Sequence, residues 1–168
     1  MENFTDNTQD PPITVAILTS SDGAARGERE DLSGERLRHW ASEIGTVMDY
    51  CILPDDAVRL ERQLWQWIQD GVHVVLTTGG TGLGPRDVMP EVTRRVVDRE
   101  IPGIAEAMRQ ESVKHTPFGM ISRGIAGVAR ETVIINFPGS PRAVDELWPV
   151  VKPVLPHLVD LVHGRTRH

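Results

Sequence analysis

The sequence predicts an α/β fold, a three-layer sandwich in which a mostly parallel central sheet lies between two layers of helices. Two observations lead to this prediction. Apolar, β-branched segments alternate along the chain with amphipathic segments of helical spacing, and the apolar segments are continuous instead of alternating with polar residues. Strands of this kind are typical of parallel sheets that are covered on both faces. The chain has 168 residues, which is the size of one domain, since domains commonly contain about 100–200 residues.

The first half of the chain contains three predicted strands, at residues 13–19, 46–53 and 73–78. Residues 20–30 are polar and contain glycine, so we expect a mobile loop there. The spacing of apolar residues predicts a helix over about 33–44. A second helix is expected to begin after Asp56, whose carboxylate can accept a hydrogen bond from an amide of the first turn, and to end at Gly71.

The second half is predicted to contain one further strand, at residues 132–137, and four helices, at about 90–99, 104–114, 143–148 and 153–163. We expect Pro102 and Gly103 to separate the first two helices and Pro149 to help separate the last two, because proline lacks the amide proton that a helix interior uses. Residues 1–12 are polar and acidic and predict a disordered tail. Residues 13–168 then form a single domain.

Charge and composition exclude several function classes. The net charge is −6, so nucleic-acid binding is not expected. No segment approaches the roughly 18 apolar residues of a membrane-spanning helix, and residues 1–12 lack the basic and apolar regions of a secretory signal. The one cysteine, Cys51, lies among apolar residues and predicts a reduced, buried thiol. We therefore expect a cytoplasmic protein without nucleic-acid or membrane partners.

Polar loops follow four of the predicted strands. They contain Ser20 and Asp22, Pro54 and Asp55, Gly79 and Gly80, and Pro138 and Gly139. Parallel strands end at the same edge of a sheet, and neighbouring strands lie about 4.8 Å apart. We therefore expect these loops to share one ligand at that edge.

The loop Thr78-Gly79-Gly80-Thr81-Gly82 is a candidate phosphate-binding loop. Glycine lets a ligand approach the backbone closely, and exposed amides and threonine hydroxyls can donate to phosphate oxygens. The loop lacks the Gly-Lys-Ser/Thr ending of a P-loop and the glycine spacing of a dinucleotide fingerprint. A tight strand-to-helix turn without a ligand is the alternative interpretation.

Arg86 and Asp87 follow this loop and suggest a phosphate clamp and a magnesium ligand. Mg²⁺ is usually held by one or two carboxylates together with substrate phosphates, and Asp55 offers the second carboxylate from the preceding strand end. The alternatives are that Asp87 caps the next helix and that Asp55 and Asp56 form a turn and a cap.

Two further segments could face an anion. The turn Pro138-Gly139-Ser140-Pro141 precedes a predicted helix, whose first amides can donate to an anion. Ser122 and Arg123 could also contact an anion. The alternatives are a plain strand-to-helix turn and a surface ion pair.

These motifs together resemble the MoaB/Mog family of molybdenum-cofactor biosynthesis proteins, and the resemblance extends from about Ile13 to Leu161. The matching residues are Thr77 to Gly82, Arg86-Asp87-Val88, Pro90-Glu91, Ile101-Pro102-Gly103, Glu106, Arg109, Ser112, Ser122-Arg123, Ala126-Gly127 and Pro138 to Pro141, together with Asp31, Ser33-Gly34 and Pro54-Asp55-Asp56. Met89 departs from the pattern, because the family usually has threonine there. Threonine would cap the following helix, and methionine cannot.

The resemblance implies a three-layer α/β fold, a molybdopterin-binding domain, and a homotrimer or hexamer. It also implies adenylylation of molybdopterin, in which ATP is the co-substrate, Mg²⁺ is the cofactor and pyrophosphate is released. Asp55 and Asp87 match the two carboxylates regarded as essential. The loop Gly79 to Gly82 and the turn Gly139-Ser140-Pro141 match the ligand-facing segments, with Ser20, Asp22, Ser33 and Gly34 beside them. A downstream molybdate-insertion protein is a further expected partner.

Two other hypotheses remain open from the sequence. The first is a non-catalytic protein that binds and carries molybdopterin in the same pathway and needs no metal-binding carboxylates. The second is an unrelated phospho-sugar or nucleotide enzyme with the same architecture. Only the transferase hypothesis requires the pair Asp55 and Asp87.

Overall fold

The structure is a computed structural model and describes residues 11–165. Most of the predicted tail, residues 1–12, lies outside the described residues. A six-stranded sheet with the order β2-β1-β3-β6-β5-β4 forms the centre. Its strands are β1 (Ile13–Ser20), β2 (Gly45–Leu53), β3 (Val74–Thr78), β4 (Arg99–Glu100), β5 (Ala126–Ala129) and β6 (Thr132–Phe137). The strands β2, β1, β3 and β6 are parallel to one another, whereas β5 is antiparallel to both of its neighbours, β6 and β4.

Helices cover both faces of the sheet. They are α1 (Asp22–Ala25), α2 (Leu32–Ala41), α3 (Ala57–Gln69), α4 (Met89–Val96), α5 (Pro102–His115), α6 (Pro141–Val151) and α7 (Leu155–Val162), with 3₁₀ turns at Pro117–Ile121 and Lys152–Val154. Asp56 caps α3 as predicted, because its Oδ1 accepts a hydrogen bond from the Arg59 amide at 3.0 Å.

Two hydrophobic cores explain why the strands are apolar along their whole length. In β1, Val15 and Ile17 point into the core beneath α2, α6 and α7, whereas Ala16 and Leu18 point into the core beneath α3 and α4. All four side chains are fully buried. Each fully buried aliphatic side chain of leucine size contributes about 1.5–3 kcal/mol relative to an exposed one. Because one core and one layer of helices lie on each face of the sheet, the predicted three-layer sandwich is confirmed.

Four local expectations are wrong. The helix predicted to reach residue 99 ends at Val96, and Pro102 begins α5 instead of breaking a helix, because its missing amide proton is not needed in a first turn. The helix α6 continues through the exposed Pro149 as far as Val151. The loop predicted at 20–30 contains the helical turn α1.

The strands β4 and β5 are elements that sequence analysis missed. β4 has two residues, both exposed, and β5 is the short segment Ala126–Ala129. Their pairing depends on tertiary contacts: the Asp98 amide donates to the Val128 carbonyl at 2.9 Å, and the Ile101 amide donates to the Ala126 carbonyl at 2.8 Å.

One polar side chain joins several elements within the apolar centre. Asn136, in β6, is buried. Its amide nitrogen donates to the hydroxyls of Thr77 at 2.9 Å and Thr93 at 3.0 Å, and its oxygen accepts from the Ile125 amide at 3.1 Å. Buried polar groups require such partners. The network therefore fixes β3, α4 and the start of β5 relative to the carboxyl end of β6.

Within residues 11–165, no helix has the length and the apolar character needed to cross a membrane.

Two histidine rings pack against each other at the amino-terminal end of β3, which His73 directly precedes. The centroids of His73 and His163 lie 4.9 Å apart. The Thr14 amide donates to Nδ1 of His73 at 3.0 Å. Burial, and next the neighbouring His163, lower the pKa of His73 below its ordinary value; Arg165 also lowers it, and Glu131 opposes the shift. The folded state therefore prefers neutral His73.

We predict that the free energy of unfolding falls when the pH is lowered from about 6.5 through the lower pKa of His73 in the folded state. The unfolded chain binds more protons than the folded chain in this range, so stability rises with pH. Urea denaturation at pH 7.5 and pH 5.5 should show a smaller difference for His73→Gln than for the wild type. The exposed His39→Gln variant is the control and should retain the wild-type difference. An unchanged difference in His73→Gln would contradict the prediction.

Candidate functional site

A cleft of about 350 Å³ opens at the carboxyl ends of the parallel strands. Its lining residues are Thr19, Ser20, Ser21, Ala24, Arg29, Glu30, Asp31, Leu32, Ser33, Asp55, Gly79, Gly80, Asp87, Gly139 and Pro141. They come from all four loops that follow β1, β2, β3 and β6. The convergence of these loops at one edge was predicted from the sequence.

Asp55 is held at the wall of this cleft by the loop after β1. The Ser20 hydroxyl donates to Oδ1 of Asp55 at 2.6 Å, and the Asp22 amide donates to Oδ2 at 3.2 Å. In return, the Asp55 amide donates to Oδ1 of Asp22 at 3.0 Å. These bonds leave lone pairs on both oxygens of Asp55, so its carboxylate is oriented and can still accept a ligand.

Asp22 and Arg86 form an ion pair at the edge of the site. Nε and one terminal nitrogen of Arg86 each donate to a different Asp22 oxygen at 3.0 Å. Arg86, followed by the donating Asp55 amide, lowers the pKa of Asp22 to about 2. The Asp22 carboxylate is therefore ionised at neutral pH, and the two-point contact with Arg86 connects the loop after β1 to the glycine-rich loop.

The glycine-rich loop begins with two residues of positive φ, Gly79 at 86° and Gly80 at 70°. A Cβ on Gly79 would lie 2.3 Å from the Ser20 carbonyl oxygen, so the close contact with the β1 end requires glycine. The Gly79 amide donates to the Phe137 carbonyl at 3.2 Å. Within residues 11–165, the amides of Gly80 and Gly139 have no hydrogen-bond acceptor. Both residues line the cleft, so an anion bound there can serve as the acceptor for these amides.

Asp87 lies at the end of this loop and lines the same cleft as Asp55. Its Oδ2 accepts a hydrogen bond from the Gly84 amide at 2.9 Å. The N-cap of α4 is Val88, and no side chain caps this helix. Asp87 is therefore not used as the helix cap, and Met89, where a capping threonine was expected, is fully buried in the core.

Arg123 lies behind the glycine-rich loop and holds it in place. Its guanidinium donates to the Gly82 carbonyl at 2.8 Å and to the Asp87 carbonyl at 3.1 Å, and it forms an ion pair with Glu91. The Arg123 amide donates to the Thr81 carbonyl at 2.9 Å. The Arg123 side chain thus fixes the backbone on both sides of the segment that presents Asp87.

The opposite wall is built around Asp31. Its Oδ1 caps α2 by accepting from the Gly34 amide at 3.1 Å, and its Oδ2 accepts from the Thr19 hydroxyl at 2.6 Å and from the Tyr50 hydroxyl. Burial, followed by the Asp31 carboxylate, raises the pKa of Tyr50 well above its ordinary value. Tyr50 therefore remains a hydrogen-bond donor. Ser33 lines the cleft, while Gly34 packs behind it against Asp31.

Several predicted ligand-facing residues lie outside the cleft lining. The Thr78 hydroxyl is buried and donates to the Pro138 carbonyl at 2.7 Å. Thr81 is also buried. Ser140 caps α6 by accepting from the Ala143 amide at 3.3 Å. Ser122 borders a separate pocket formed by α5, α6 and the 3₁₀ turn after α5.

The cleft also contains charged residues that sequence analysis did not select, namely Arg29 and Glu30. Both belong to the segment predicted as a mobile loop. Their charges gave no signal of their own, because a charged residue in a polar loop is usually solvated. The turn α1 and the Asp31 cap bring them to the cleft.

The donor chemistry of the cleft fits a magnesium ion that arrives with phosphates. Among the described residues, no group of three or more histidine, cysteine, aspartate or glutamate side chains could hold a metal ion by itself. Asp55 and Asp87, from the loops after β2 and β3, line this cleft together with Glu30 and Asp31, and both have lone pairs that remain free for a ligand. One or two carboxylates of this kind are what Mg²⁺ uses when substrate phosphates complete its coordination.

A family profile described as "Probable molybdopterin binding domain" matches residues 16–157. A protein named "Molybdopterin adenylyltransferase" in Helicobacter pylori is 36% identical over 156 residues, which cover 90% of this chain and 89% of that protein. The molybdenum cofactor synthesis protein cinnamon of Drosophila melanogaster is 39% identical over 153 residues. These cover 89% of this chain but 26% of cinnamon, so the chain corresponds to about a quarter of that longer relative.

Two solved structures that resemble this chain are also those of molybdopterin biosynthesis proteins. The molybdopterin biosynthesis enzyme MoaB of Thermus thermophilus has a TM-score of 0.84 at 44% identity and covers 90% of this chain and 97% of its own. The Mog protein of Mycobacterium ulcerans has a TM-score of 0.85 at 31% identity, with coverages of 92% and 99%. The profile match, these identities and the shared fold agree with the resemblance in the sequence motifs. The chain therefore belongs to the MoaB/Mog family of molybdenum-cofactor biosynthesis proteins.

Proposed function

We propose that this protein transfers AMP from Mg·ATP to the terminal phosphate of molybdopterin. The observation that carries the proposal is that Asp55 and Asp87 line one cleft together with the unpaired amides of Gly80 and Gly139. Two relatives of similar length, from Helicobacter pylori and Escherichia coli, are named molybdopterin adenylyltransferase and are 36% and 33% identical. The arrangement suits a reaction between two polyanions, because it provides both metal ligands and anion donors.

In the proposed reaction, an oxygen of the molybdopterin phosphate forms a bond to the α-phosphorus of ATP. The bond between that phosphorus and the oxygen bridging to the β-phosphate breaks, and pyrophosphate leaves with the electron pair. Mg²⁺ would supply positive charge to the phosphate oxygens, and Asp55 and Asp87 would hold it. The amides of Gly80 and Gly139 would donate to phosphate oxygens and so stabilise developing charge.

No protein nucleophile is needed for this reaction. The thiol of Cys51 lies in β2, and burial raises its pKa, so little reactive thiolate forms at neutral pH. Most of the acceleration would come from placing two bound substrates in line. The role of the chain is therefore to orient the carboxylates and amides that receive the phosphates.

The resemblance also implies the cellular setting that we propose. The protein acts in the cytoplasm on molybdopterin and ATP, and its adenylylated product passes to a downstream molybdate-insertion protein.

We predict that Asp87→Asn and Asp55→Asn each reduce AMP transfer by about 100-fold or more, because one electrostatic group in an active site commonly contributes 10²–10³ in rate. Both substitutions retain the shape of the side chain and remove its charge. The measurement is the formation of adenylylated molybdopterin from labelled ATP and Mg²⁺, with melting temperatures recorded for each variant.

Asp56→Asn is the matched control, since Asp56 neighbours Asp55 but caps α3, and asparagine caps equally well. It should retain full activity. Wild-type turnover in Asp87→Asn would remove Asp87 from its proposed role. Calorimetry that shows molybdopterin binding without Mg·ATP binding to the wild type would favour the carrier hypothesis over the transferase.

We also predict that Arg123→Gln lowers kcat by about tenfold or more while KM for ATP changes little. The reason is that Arg123 holds the backbone at Gly82 and Asp87, and a misplacement of about 1 Å can cost about 100-fold. Arg94→Gln is the control, because Arg94 pairs with Glu100 at the surface of α4. A large rise in KM with unchanged kcat would instead show that Arg123 contacts the nucleotide.

We also propose that the chain assembles into a homotrimer or hexamer. Large apolar side chains remain exposed on the single chain, among them Phe118, Met120 and Leu161. Such surfaces are commonly covered by other chains. Light scattering should give a mass three or six times that of the 18.7 kDa chain. A monomeric mass at micromolar concentration would contradict this proposal.

A further inference from the structure

The two arginines that the sequence suggested as anion contacts are both occupied by the protein itself. Two nitrogens of Arg86 contact the Asp22 carboxylate at 3.0 Å. The guanidinium of Arg123 contacts two backbone carbonyls and Glu91. A phosphate could bind either side chain only by displacing these partners.

Arg29 is the cation that lines the cleft. Its guanidinium has one hydrogen bond within residues 11–165, a long one of 3.4 Å to the Ser21 hydroxyl. No carboxylate among these residues forms an ion pair with it. The side chain is exposed, so its planar set of donors faces solvent at the wall of the cleft.

Two observations place Arg29 beside the cleft. Its side chain passes close to Gly23, where an added Cβ would lie 3.1 Å from Nε of Arg29. Two residues further along the chain, Asp31 accepts hydrogen bonds from the Gly34 amide and the Thr19 hydroxyl. The backbone that carries Arg29 is thus anchored next to the cleft.

The charge balance of the cleft gives Arg29 its importance. The lining residues include four carboxylates, Glu30, Asp31, Asp55 and Asp87, against the single guanidinium of Arg29. A polyanionic substrate would be repelled by three excess negative charges of this lining. A guanidinium offers two parallel donors to a phosphate and is always protonated.

We propose that Arg29 binds a phosphate group of the substrate in this cleft. The inference rests on the proposed function, because it assumes that phosphate-bearing substrates occupy the cleft. The bound group is either a phosphate of the nucleotide or the terminal phosphate of molybdopterin, which present the same oxygens to the guanidinium.

The experiment measures the Kd of Mg·ATP and of molybdopterin separately by calorimetry for the wild type, Arg29→Gln and Arg29→Lys. We expect Arg29→Gln to weaken the binding of one of these ligands by about tenfold or more, because the variant loses the charge-assisted hydrogen bonds that a guanidinium donates to a phosphate. The ligand that is weakened identifies the source of the phosphate. Arg29→Lys retains the charge without the paired donors and should have an intermediate effect.

Arg26→Gln is the matched control. Arg26 lies in the same loop, is exposed, pairs with Glu28 at 2.9 Å and does not line the cleft. It should bind both ligands as the wild type does. If Arg29→Gln binds both ligands within twofold of the wild type, the role of Arg29 is overturned while the proposed function stands. If the wild type binds neither ligand, both are overturned. Melting temperatures near that of the wild type show that the variants are folded.

Discussion

The site depends on the register of the four parallel strands. Ser20 pairs with Leu53, Thr19 with Thr78, and Thr78 with Phe137, so the strands end at one level. A shift of a single residue would turn each side chain to the opposite face of the sheet. Because the ends are level, the loop after β2 reaches the loop after β1, and the loop after β3 reaches that after β6. The cleft therefore depends on the strand register that the buried side chains of the two cores maintain.

Two arginines at the candidate site hold loops together. Arg86 joins the glycine-rich loop to α1 through Asp22, and Arg123 joins it to the segment before β5. Each of these guanidinium groups also neutralises a carboxylate, Asp22 or Glu91, that would otherwise repel the phosphates of a substrate. Recognition of the anion is then left to backbone amides, to the metal that accompanies ATP, and to Arg29. This division keeps Asp55 and Asp87 ordered without neutralising them.

The fold was predictable where the sequence signal was local and strong. The strand β6 has the predicted bounds 132–137 because six consecutive buried residues separate two turn signals. The pair β4 and β5 was missed because Arg99 and Glu100 are exposed and charged, and their extended conformation depends on pairing with β5. The continuation of α6 through Pro149 was also not predictable, since it requires that the residue lie on the solvent side of the helix.

The same distinction between local and tertiary information applies to the candidate site. The places of Asp55 and Asp87 follow from the rule that parallel strands present their carboxyl ends together. The partners of each arginine do not follow from it, because Asp22 and Arg86 are 64 residues apart and meet only in the folded chain. An arginine after a glycine-rich loop can therefore contact an anionic ligand only if no carboxylate of another loop forms an ion pair with it in the folded chain. Arg29 is available for a ligand because, within residues 11–165, no carboxylate pairs with it and its one side-chain hydrogen bond is the long contact with the Ser21 hydroxyl.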